Sequence, residues 1–401
     1  MAREMKDSGI EWIGDIPKNW TVLKNKYIFK ISSGESINKE ELDNNGNYPV
    51  YGGGEQLGFY DKYNVLPNSI LIGRVGARCG CITYVHKHCW ATDNALIAST
   101  EKNNKYLLYA LDTSNLNRLN ESNAQPLITA TKVLNVSIPY PNVLEQQQIA
   151  SFLDTECSRI DAVIEQTRAS IEEYKKLKQA VITQAVTKGI RPNRPMKDSG
   201  IEWIGKIPED WNVIKFKYIA SVKSNLVHPT EYQDYMQIAP DNIEKGSAKL
   251  LECKTVGEVG VESDNHLFYK GQIIYSKIRP ILNKVIIAPF DGLCSADMYP
   301  IETTINKYFL LYMMLSDRFL TQVKLVTENR VKMPKINQDE LGQILIYLPL
   351  SNEQQEIAIY LDDKCNEIDM LISKKEQLLL ELTDYKKSLI YEYVTGKKEV
   401  P

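Results

Sequence analysis

The chain has 401 residues, of which 25% are charged and 43% hydrophobic, and its formal net charge is −3. This length predicts roughly two to four domains with more than one core. The near-neutral charge excludes a polybasic nucleic-acid binder but still allows local basic surfaces. No apolar run approaches the roughly 18 residues of a membrane span, and the first residues lack the apolar core of a signal peptide. With seven scattered cysteines, these features predict a cytoplasmic protein without a disulfide framework.

The sequence repeats itself at the beginning and at the end of each half. Residues 196–219 repeat residues 5–28 with 18 of 24 positions identical, and residues 353–369 repeat residues 145–161 with 10 of 17 identical. The intervening residues 30–140 and 221–348 barely resemble each other. Internal duplication explains the shared ends, and the divergent middles indicate two modules with the same attachment and different readouts. Simple drift of a redundant copy is the alternative.

The repeated end segments are predicted to be long helices. Residues 144–188 contain neither Pro nor Gly and stop before Gly189, which predicts a helix of about 45 residues and roughly 65 Å. Apolar side chains recur on one stripe of each copy, at Ile149, Leu153, Ile160, Ile164, Ile171, Tyr174, Leu177 and Val181, and at Ile357, Leu361, Ile368, Ile372, Leu379, Leu382, Leu389 and Tyr393. A long rod with one apolar stripe needs a partner, so we interpret the two helices as an antiparallel intramolecular coiled coil. Alternatively, each helix packs on its own domain.

The middle sections are predicted to contain most of the strands. Short β-branched runs at residues 69–72, 82–85, 95–98, 272–275 and 284–287 predict strands, and short helices are expected over residues 104–119 and 305–320. The fold class is therefore α+β with pseudo-twofold organisation, and the expected segments are residues 1–143, 144–190, 191–351 and 352–401. Residues 66–140 carry seven basic against four acidic side chains, and residues 265–335 carry ten against five. The neutral total thus hides two basic modules and two acidic helices.

Several motifs in each half resemble one known family. They are residues 7–14 (DSGIEWIG) with the repeat over residues 198–211, residues 48–53 (YPVYGG), residues 73–76 (GRVG), residues 90–95 (WATDNA) and residues 275–280 (YSKIRP). Both modules end in a proline-containing stretch before Glu-Gln-Gln. Over nearly its whole length the chain resembles the DNA-specificity subunit of type I restriction–modification systems.

The resemblance implies a non-catalytic subunit with two target-recognition domains, each of which reads one half of a bipartite, asymmetric DNA site. It also implies that the two helices fix the distance between the half-sites. Methyltransferase subunits, typically two, would bind these helices, and restriction subunits with translocase activity would join the assembly. No cofactor is expected in this chain, because S-adenosylmethionine, ATP and Mg²⁺ would be carried by the partners. A coiled-coil scaffold protein without DNA readout is the alternative.

Arg74 is the first candidate for DNA contact, because the flanking Gly73 and Gly76 would let its loop approach a duplex closely and bond a guanine. Other basic side chains in the two modules would contribute phosphate or base contacts: Arg78, Lys132, Lys277, Arg279, Arg330 and Lys332. Asp93 and Asp297 are expected to anchor loops by accepting backbone hydrogen bonds.

Two further constellations suggest catalysis or metal binding only weakly. The cluster Cys79, Cys81, His86, His88 and Cys89 lacks the usual Cys-x-x-Cys spacing of a zinc site. Asp241, Glu252 and Lys254 match a loose nuclease pattern that occurs by chance in many chains. Neither a Walker-type phosphate loop nor a Pro-Pro dipeptide of the amino-methyltransferase motif is present in the sequence. We therefore predict no catalytic and no metal-binding residues.

Overall fold

The structure is a computed structural model that describes residues 3–43, 45–100, 102–120, 126–200, 205–327 and 334–401. The chain divides into two compact units: unit 1 comprises residues 1–168 and 377–401, and unit 2 comprises residues 169–376. Each unit contains one strand-rich module and part of both long helices. The four-segment division with boundaries after residues 143, 190 and 351 stays a prediction. In the described part of the chain, no helix is both long and apolar enough to cross a membrane.

Unit 1 is built from short strands, two short helices and the first part of a long one. The strands are β1 (Met5–Asp7), β2 (Asp15–Pro17), β3 (Thr21–Lys24), β4 (Lys30–Ser33), β5 (Tyr48–Gly52), β6 (Glu55–Tyr60), β7 (Ser69–Gly73), β8 (Ile82–Val85), β9 (Trp90–Ala91), β10 (Ala95–Ser99) and β11 (Ser137–Tyr140). The helices are α1 (Asn104–Thr113), α2 (Ala130–Asn135) and α3 (Val143–Lys188). The expected strands at residues 69–72, 82–85 and 95–98 are therefore confirmed as β7, β8 and β10.

Two sheets form the module of unit 1. The four-stranded sheet has the order β4-β10-β7-β8 and is antiparallel throughout. The three-stranded sheet has the order β6-β5-β9, with β5 and β9 parallel. Ile70 and Ile72 point from β7 into a core shared with α1, whereas Leu71 points into a smaller core under the second sheet. This alternation is the period-2 pattern of a strand buried on both faces.

Unit 2 repeats this architecture with additional strands. The strands are β12 (Met196–Asp198), β13 (Lys206–Pro208), β14 (Asn212–Lys215), β15 (Ala220–Val222), β16 (Leu226–Val227), β17 (Met236–Ile238), β18 (Asn265–Phe268), β19 (Ile273–Ser276), β20 (Val285–Ile287), β21 (Gly292–Cys294), β22 (Met298–Thr303) and β23 (Leu345–Leu348). The helices are α4 (Val256–Val259), α5 (Lys307–Leu315), α6 (Asp317–Thr327), α7 (Gln338–Gln343) and α8 (Ser351–Val394). One four-stranded sheet has the order β15-β22-β19-β20 and the other β16-β18-β21-β17. The first corresponds strand by strand to β4-β10-β7-β8 of unit 1.

The two long helices run antiparallel where they meet inside each unit. In unit 1, Ile149 and Leu153 of α3 share a core with Leu389 and Tyr393 of α8. In unit 2, Ile182 and Val186 of α3 share a core with Ile357 and Leu361 of α8. The predicted stripe is largely buried, but Leu177 is 49% exposed and does not belong to it. Two polar residues interrupt the apolar stripes. Thr167 of α3 donates to the carbonyl of Val163 one turn earlier at 2.7 Å, and Lys375 of α8 lies over the Tyr174 ring of α3.

One ion pair joins the helices in each unit, and the two pairs use corresponding residues of the repeat. Lys386 contacts Asp161 at 2.7 Å in unit 1, and Lys178 contacts Asp369 at 2.6 Å in unit 2. Both acids lie in the repeated segment that ends Ile-Asp. These contacts set the register of the antiparallel helices within each unit.

A second repeated contact, which we call the helix-start clamp, fixes the beginning of each long helix. In unit 2, the Glu353 carboxylate pairs with Arg194 and accepts a hydrogen bond from Trp211 Nε1 at 3.0 Å. In unit 1, Glu145 pairs with Arg3 and accepts from Trp20 Nε1 at 2.9 Å. Each guanidinium also lies over its tryptophan ring, at 5.6 Å and 5.2 Å from the centroid. Three side chains thus tie the repeated opening segment to the repeated helix.

Candidate nucleic-acid interface

Three loops meet at one edge of the module in unit 1. They follow β5, β7 and β9 and comprise residues 52–54, 73–80 and 92–94, which we call loop edge 1. Backbone hydrogen bonds join them, because Thr92 N donates to Tyr51 O and Arg74 N donates to Asn94 O, both at 2.9 Å. The segment before α2 reaches the same edge, since Ile128 N donates to Arg74 O at 2.9 Å. The parallel pairing of β5 and β9 places their carboxyl ends together.

Arg74 lies at the centre of loop edge 1, as the GRVG spacing predicts. A Cβ on Gly73 would stand only 2.1 Å from the carbonyl oxygen of Arg78, so glycine is required for this close packing. Gly76 has a φ of +70°, which also favours glycine. The Arg74 side chain is half-buried, and its buried Nε has no hydrogen-bond partner among the described residues. The protein therefore leaves this donor available for a further hydrogen bond.

The other two candidates of unit 1 occupy different surroundings. The Arg78 side chain is 55% exposed at loop edge 1 and lies 3.9 Å from the carboxylate of Glu55. Lys132 is in a separate groove lined by Trp12 and Arg118, where its ammonium donates to the carbonyl of Leu119 at 3.2 Å. The structure therefore brings Arg74 and Arg78 together and leaves Lys132 apart from them.

Unit 2 has a corresponding edge, loop edge 2, made of residues 239–242, 277–284 and 295–297. Lys277 N donates to Asp297 O at 3.0 Å, and Ser295 N donates to Ile238 O at 2.9 Å. The Lys277 ammonium lies 4.0 Å from the Asp297 carboxylate and 5.4 Å from the Tyr299 ring centroid. Lys335 contacts the same carboxylate at 3.0 Å. Asp297 was expected to accept backbone hydrogen bonds through its side chain, but this carboxylate instead pairs with two lysines.

The remaining candidates of unit 2 can be placed only in part. Arg279 is exposed at loop edge 2 with a φ of +44°, a conformation uncommon for a residue with a side chain. Its backbone N–H donates to Pro334 O at 2.8 Å. Arg330 and Lys332 lie outside the described residues. Asp93, the other expected anchor, is exposed at loop edge 1.

The two loop edges share one backbone frame although their sequences differ. The hydrogen bond that Arg74 N donates to Asn94 O in unit 1 corresponds to the one that Lys277 N donates to Asp297 O in unit 2. Gly76, with a φ of +70°, donates to Pro126 O, and Arg279, with a φ of +44°, donates to Pro334 O. Arg74 and Lys277 are therefore equivalent positions in the two modules. Sequence reasoning missed this equivalence because the hydrogen bonds use main-chain atoms and leave no residue pattern.

His266, which the sequence did not single out, lies behind Lys277. Its side chain is 4% exposed, and its buried Nδ1 has no hydrogen-bond partner among the described residues. Burial, reinforced by the positive charge of Lys277, lowers the pKa of His266 below its ordinary value of 6.5. The neutral imidazole therefore places no second positive charge behind the lysine near neutral pH.

The Cys and His side chains between residues 79 and 89 do not form a metal site in the described part of the chain. No group of three or more His, Cys, Asp or Glu side chains there could hold a metal ion. Cys89 is fully buried and burial raises the pKa of its thiol to about 11, while His88 packs on the Tyr63 ring at 4.2 Å. At the nuclease-like set, Asp241 contacts Lys284 at 3.4 Å. Glu252 takes part through its backbone oxygen, which accepts from Asn242 Nδ2 at 2.7 Å.

The chain thus contains two modules that share backbone hydrogen bonds, each with basic side chains at its loop edge. Comparison with known proteins identifies the family. The family model described as type I restriction modification DNA specificity domain matches residues 17–173 and again residues 208–380. The chain therefore belongs to this family, and to its specificity class rather than to the catalytic subunits.

Individual relatives agree with this assignment. The chain is 30% identical over 410 residues to the type I restriction enzyme EcoDI specificity subunit of Escherichia coli, covering 96% of this chain and 90% of the relative. It is 26% identical over 420 residues to the MjaVIII specificity subunit of Methanocaldococcus jannaschii, covering 96% and 94%. A solved structure described as showing complex assembly and conformational transition of the type I R-M system covers 96% of this chain and 99% of its own, with a TM-score of 0.69 and 11% identity. That likeness shows a shared fold.

Proposed function

We propose that this chain reads a bipartite, asymmetric DNA site, one half with each unit, and directs methyltransferase and restriction subunits to it. The observation that carries the proposal is the pair of loop edges, which share a backbone frame but present different side chains. Loop edge 1 presents Arg74 beside Asn94, and loop edge 2 presents Lys277 beside Asp297. Identical frames hold both readers in the same way, while unlike side chains favour unlike half-sites.

The chemistry of the two edges supports this division. An arginine in a close-packed glycine loop can donate two parallel hydrogen bonds to guanine O6 and N7 in the major groove. A lysine offers a single charged group, and at loop edge 2 its position depends on Asp297 and Tyr299. Additional lysines and arginines would bind phosphates, which supply affinity without sequence information. A target read by two such edges is not a palindrome.

The repeated features support a partner that is present in two copies. The helix-start clamps Arg3–Trp20–Glu145 and Arg194–Trp211–Glu353 and the helix ion pairs occur once in each unit. We propose that α3 and α8 form an antiparallel coiled coil of pseudo-twofold symmetry. Two methyltransferase subunits would bind it, each meeting the same repeated surface. S-adenosylmethionine, ATP and Mg²⁺ would then be carried by the partner subunits.

The proposal is tested by producing the chain together with the methyltransferase subunit of its own system. Methylated adenines mapped across the host genome should define one motif with two unlike half-sites and a fixed spacer. A mobility-shift assay at physiological salt should show a complex that an oligonucleotide of the motif competes away and a scrambled one does not. The absence of any sequence-selective complex would overturn the DNA-reading proposal and leave the scaffold alternative.

A further inference from the structure

Asp241 is an exposed acidic side chain on loop edge 2, where the other carboxylate, that of Asp297, pairs with Lys277 and Lys335. It lies in the short 3₁₀ helix Pro240–Asn242, directly after β17, and its side chain is fully exposed. The end of β17 is joined to the loop that precedes Asp297, because Ser295 N donates to Ile238 O. Asp241 therefore occupies the same edge as Lys277 and Arg279. A carboxylate there repels DNA phosphates, so phosphate binding gives no reason for its presence.

The Asp241 loop is held by hydrogen bonds, and the Asp241 carboxylate, although it contacts Lys284, stays exposed to solvent. Asn242 Oδ1 accepts from Ala239 N at 2.8 Å, and Asn242 Nδ2 donates to Glu252 O at 2.7 Å. The Lys284 ammonium, only 14% exposed, donates to Pro240 O at 2.7 Å and lies 3.4 Å from Asp241 Oδ1. Lys284 thus holds the loop from below and neutralises part of the charge. A preorganised polar group loses little entropy on binding.

The edges of the four bases decide which one suits such a carboxylate. In the major groove, guanine and thymine present acceptors, which a carboxylate oxygen repels. Adenine presents its N6 amino group beside the N7 acceptor, so attraction and repulsion partly cancel. Cytosine presents its N4 amino group with no neighbouring acceptor on the same base. An aspartate presented to the major groove therefore favours cytosine.

We infer that Asp241 is a specificity-determining residue that accepts a hydrogen bond from the N4 amino group of a cytosine in the half-site read by unit 2. The inference rests on the proposed function and adds a base identity and a residue to it. It also assigns a role to the acidic side chain that first suggested a nuclease. The corresponding loop of unit 1 has Gly54 at this position, so the cytosine requirement belongs to one half-site.

The test is the substitution Asp241→Asn in the complex with the methyltransferase subunit. Asparagine can both donate and accept, which suits adenine. We expect one position of one half-site to relax from cytosine to cytosine or adenine, with about a tenfold loss of discrimination in competition mobility shifts. Affinity for unrelated DNA should stay equal or rise, because a negative charge is removed. The other half-site and the spacer should not change.

Asp234→Asn is the matched control, because Asp234 is exposed at the opposite end of β17, and it should leave the motif unchanged. Thermal unfolding of both variants should match the unsubstituted chain. An unchanged motif in a folded Asp241→Asn complex would overturn the inference while the proposed function stands. A change at an adenine–thymine base pair of that half-site, or at any base pair of the other half-site, would also overturn it. If the unsubstituted complex itself shows no bipartite motif, the proposed function fails first, and this inference fails with it.

Discussion

The helix-start clamp offers a quantitative test, because the two units present the same three side chains at different depths. In unit 2 the side chains of Glu353 and Arg194 are 3% and 11% exposed. In unit 1 those of Glu145 and Arg3 are 18% and 19% exposed. Removing one partner from a buried ion pair costs about 3–5 kcal/mol, because the other charge stays buried without compensation. The same substitution should therefore destabilise unit 2 more than unit 1.

Glu353→Gln is the perturbation with the least change of shape. Glutamine keeps an oxygen that can accept from Trp211 Nε1, and Asp210 still contacts Arg194 at 2.6 Å. The charge-assisted hydrogen bond that Arg194 donates to the Glu353 carboxylate, which raises the pKa of Arg194, is lost. These surviving contacts reduce the expected loss to about 2–3 kcal/mol, or about 5–10 °C in the unfolding temperature of a unit of this size. We expect about 1 kcal/mol for Glu145→Gln, since its pair is more hydrated.

A chain of two units need not unfold in one step, so the stability of each unit has to be measured separately. Hydrogen exchange followed by mass spectrometry does this. Exchange should accelerate around Trp211 in Glu353→Gln, and less around Trp20 in Glu145→Gln. Glu156→Gln is the control, because Glu156 forms an ion pair with Arg159 on the exposed face of α3. Equal losses in the two units, or a larger loss in unit 1, would refute the argument from burial.

Three other predictions concern the loop edges and the helices. Replacing Arg74 with Gln should weaken binding of the specific site by about 1–3 kcal/mol and relax only one half-site in mobility shifts; equal relaxation of both half-sites would count against a separate reader in each unit. Because the pKa of His266 is lowered in the folded state, its contribution to the stability of unit 2 is present above about pH 6.5 and is lost as the pH falls below that value. Unfolding midpoints between pH 8 and 5 should therefore fall less in His266→Asn than in the unsubstituted chain, whereas His86→Asn, on an exposed histidine, should behave like the latter. Inserting about one helical turn, about 6 Å, into both α3 and α8 should lengthen the DNA spacer between the half-sites by about two base pairs in the methylation map. Both half-site sequences should stay unchanged. Altered half-sites would contradict the proposal that the two helices set the distance between the half-sites.

The sequence predicts the regular elements of this protein well, because they depend on local patterns. The β-branched runs at residues 69–72 and 95–98 are strands β7 and β10, and the uninterrupted segment 144–188 is α3 within one residue at its start. Leu177 is the exception on the α3 stripe, since it is exposed where periodicity predicts burial. Periodicity reports which residues share a face, but tertiary contacts decide how much of that face is covered.

The candidate site could be predicted only where residue type carries the geometry. Gly73 packs too closely on the carbonyl of Arg78 for a Cβ and Gly76 has a positive φ, so the two glycines predict the close-packed loop in which Arg74 lies. Lys132 lies on α2 in another groove, a separation from Arg74 that its charge alone could not predict, and its contact with DNA stays a prediction. Asp241, His266 and the equivalence of Arg74 with Lys277 depend on which loops meet at an edge, and no local pattern records that.

The division between repeated and divergent sequence follows from the kind of contact in each region. The helix-start clamps join the side chains of Arg, Trp and Glu, and the helix ion pairs join those of Lys and Asp. Because these contacts need particular side chains, both halves must keep the same residues to form them. The loop edges are held by main-chain hydrogen bonds such as Arg74 N–Asn94 O and Lys277 N–Asp297 O. Such bonds form with almost any side chain. The residues at the edges can therefore change without disturbing the frame, which allows one architecture to present two different readouts.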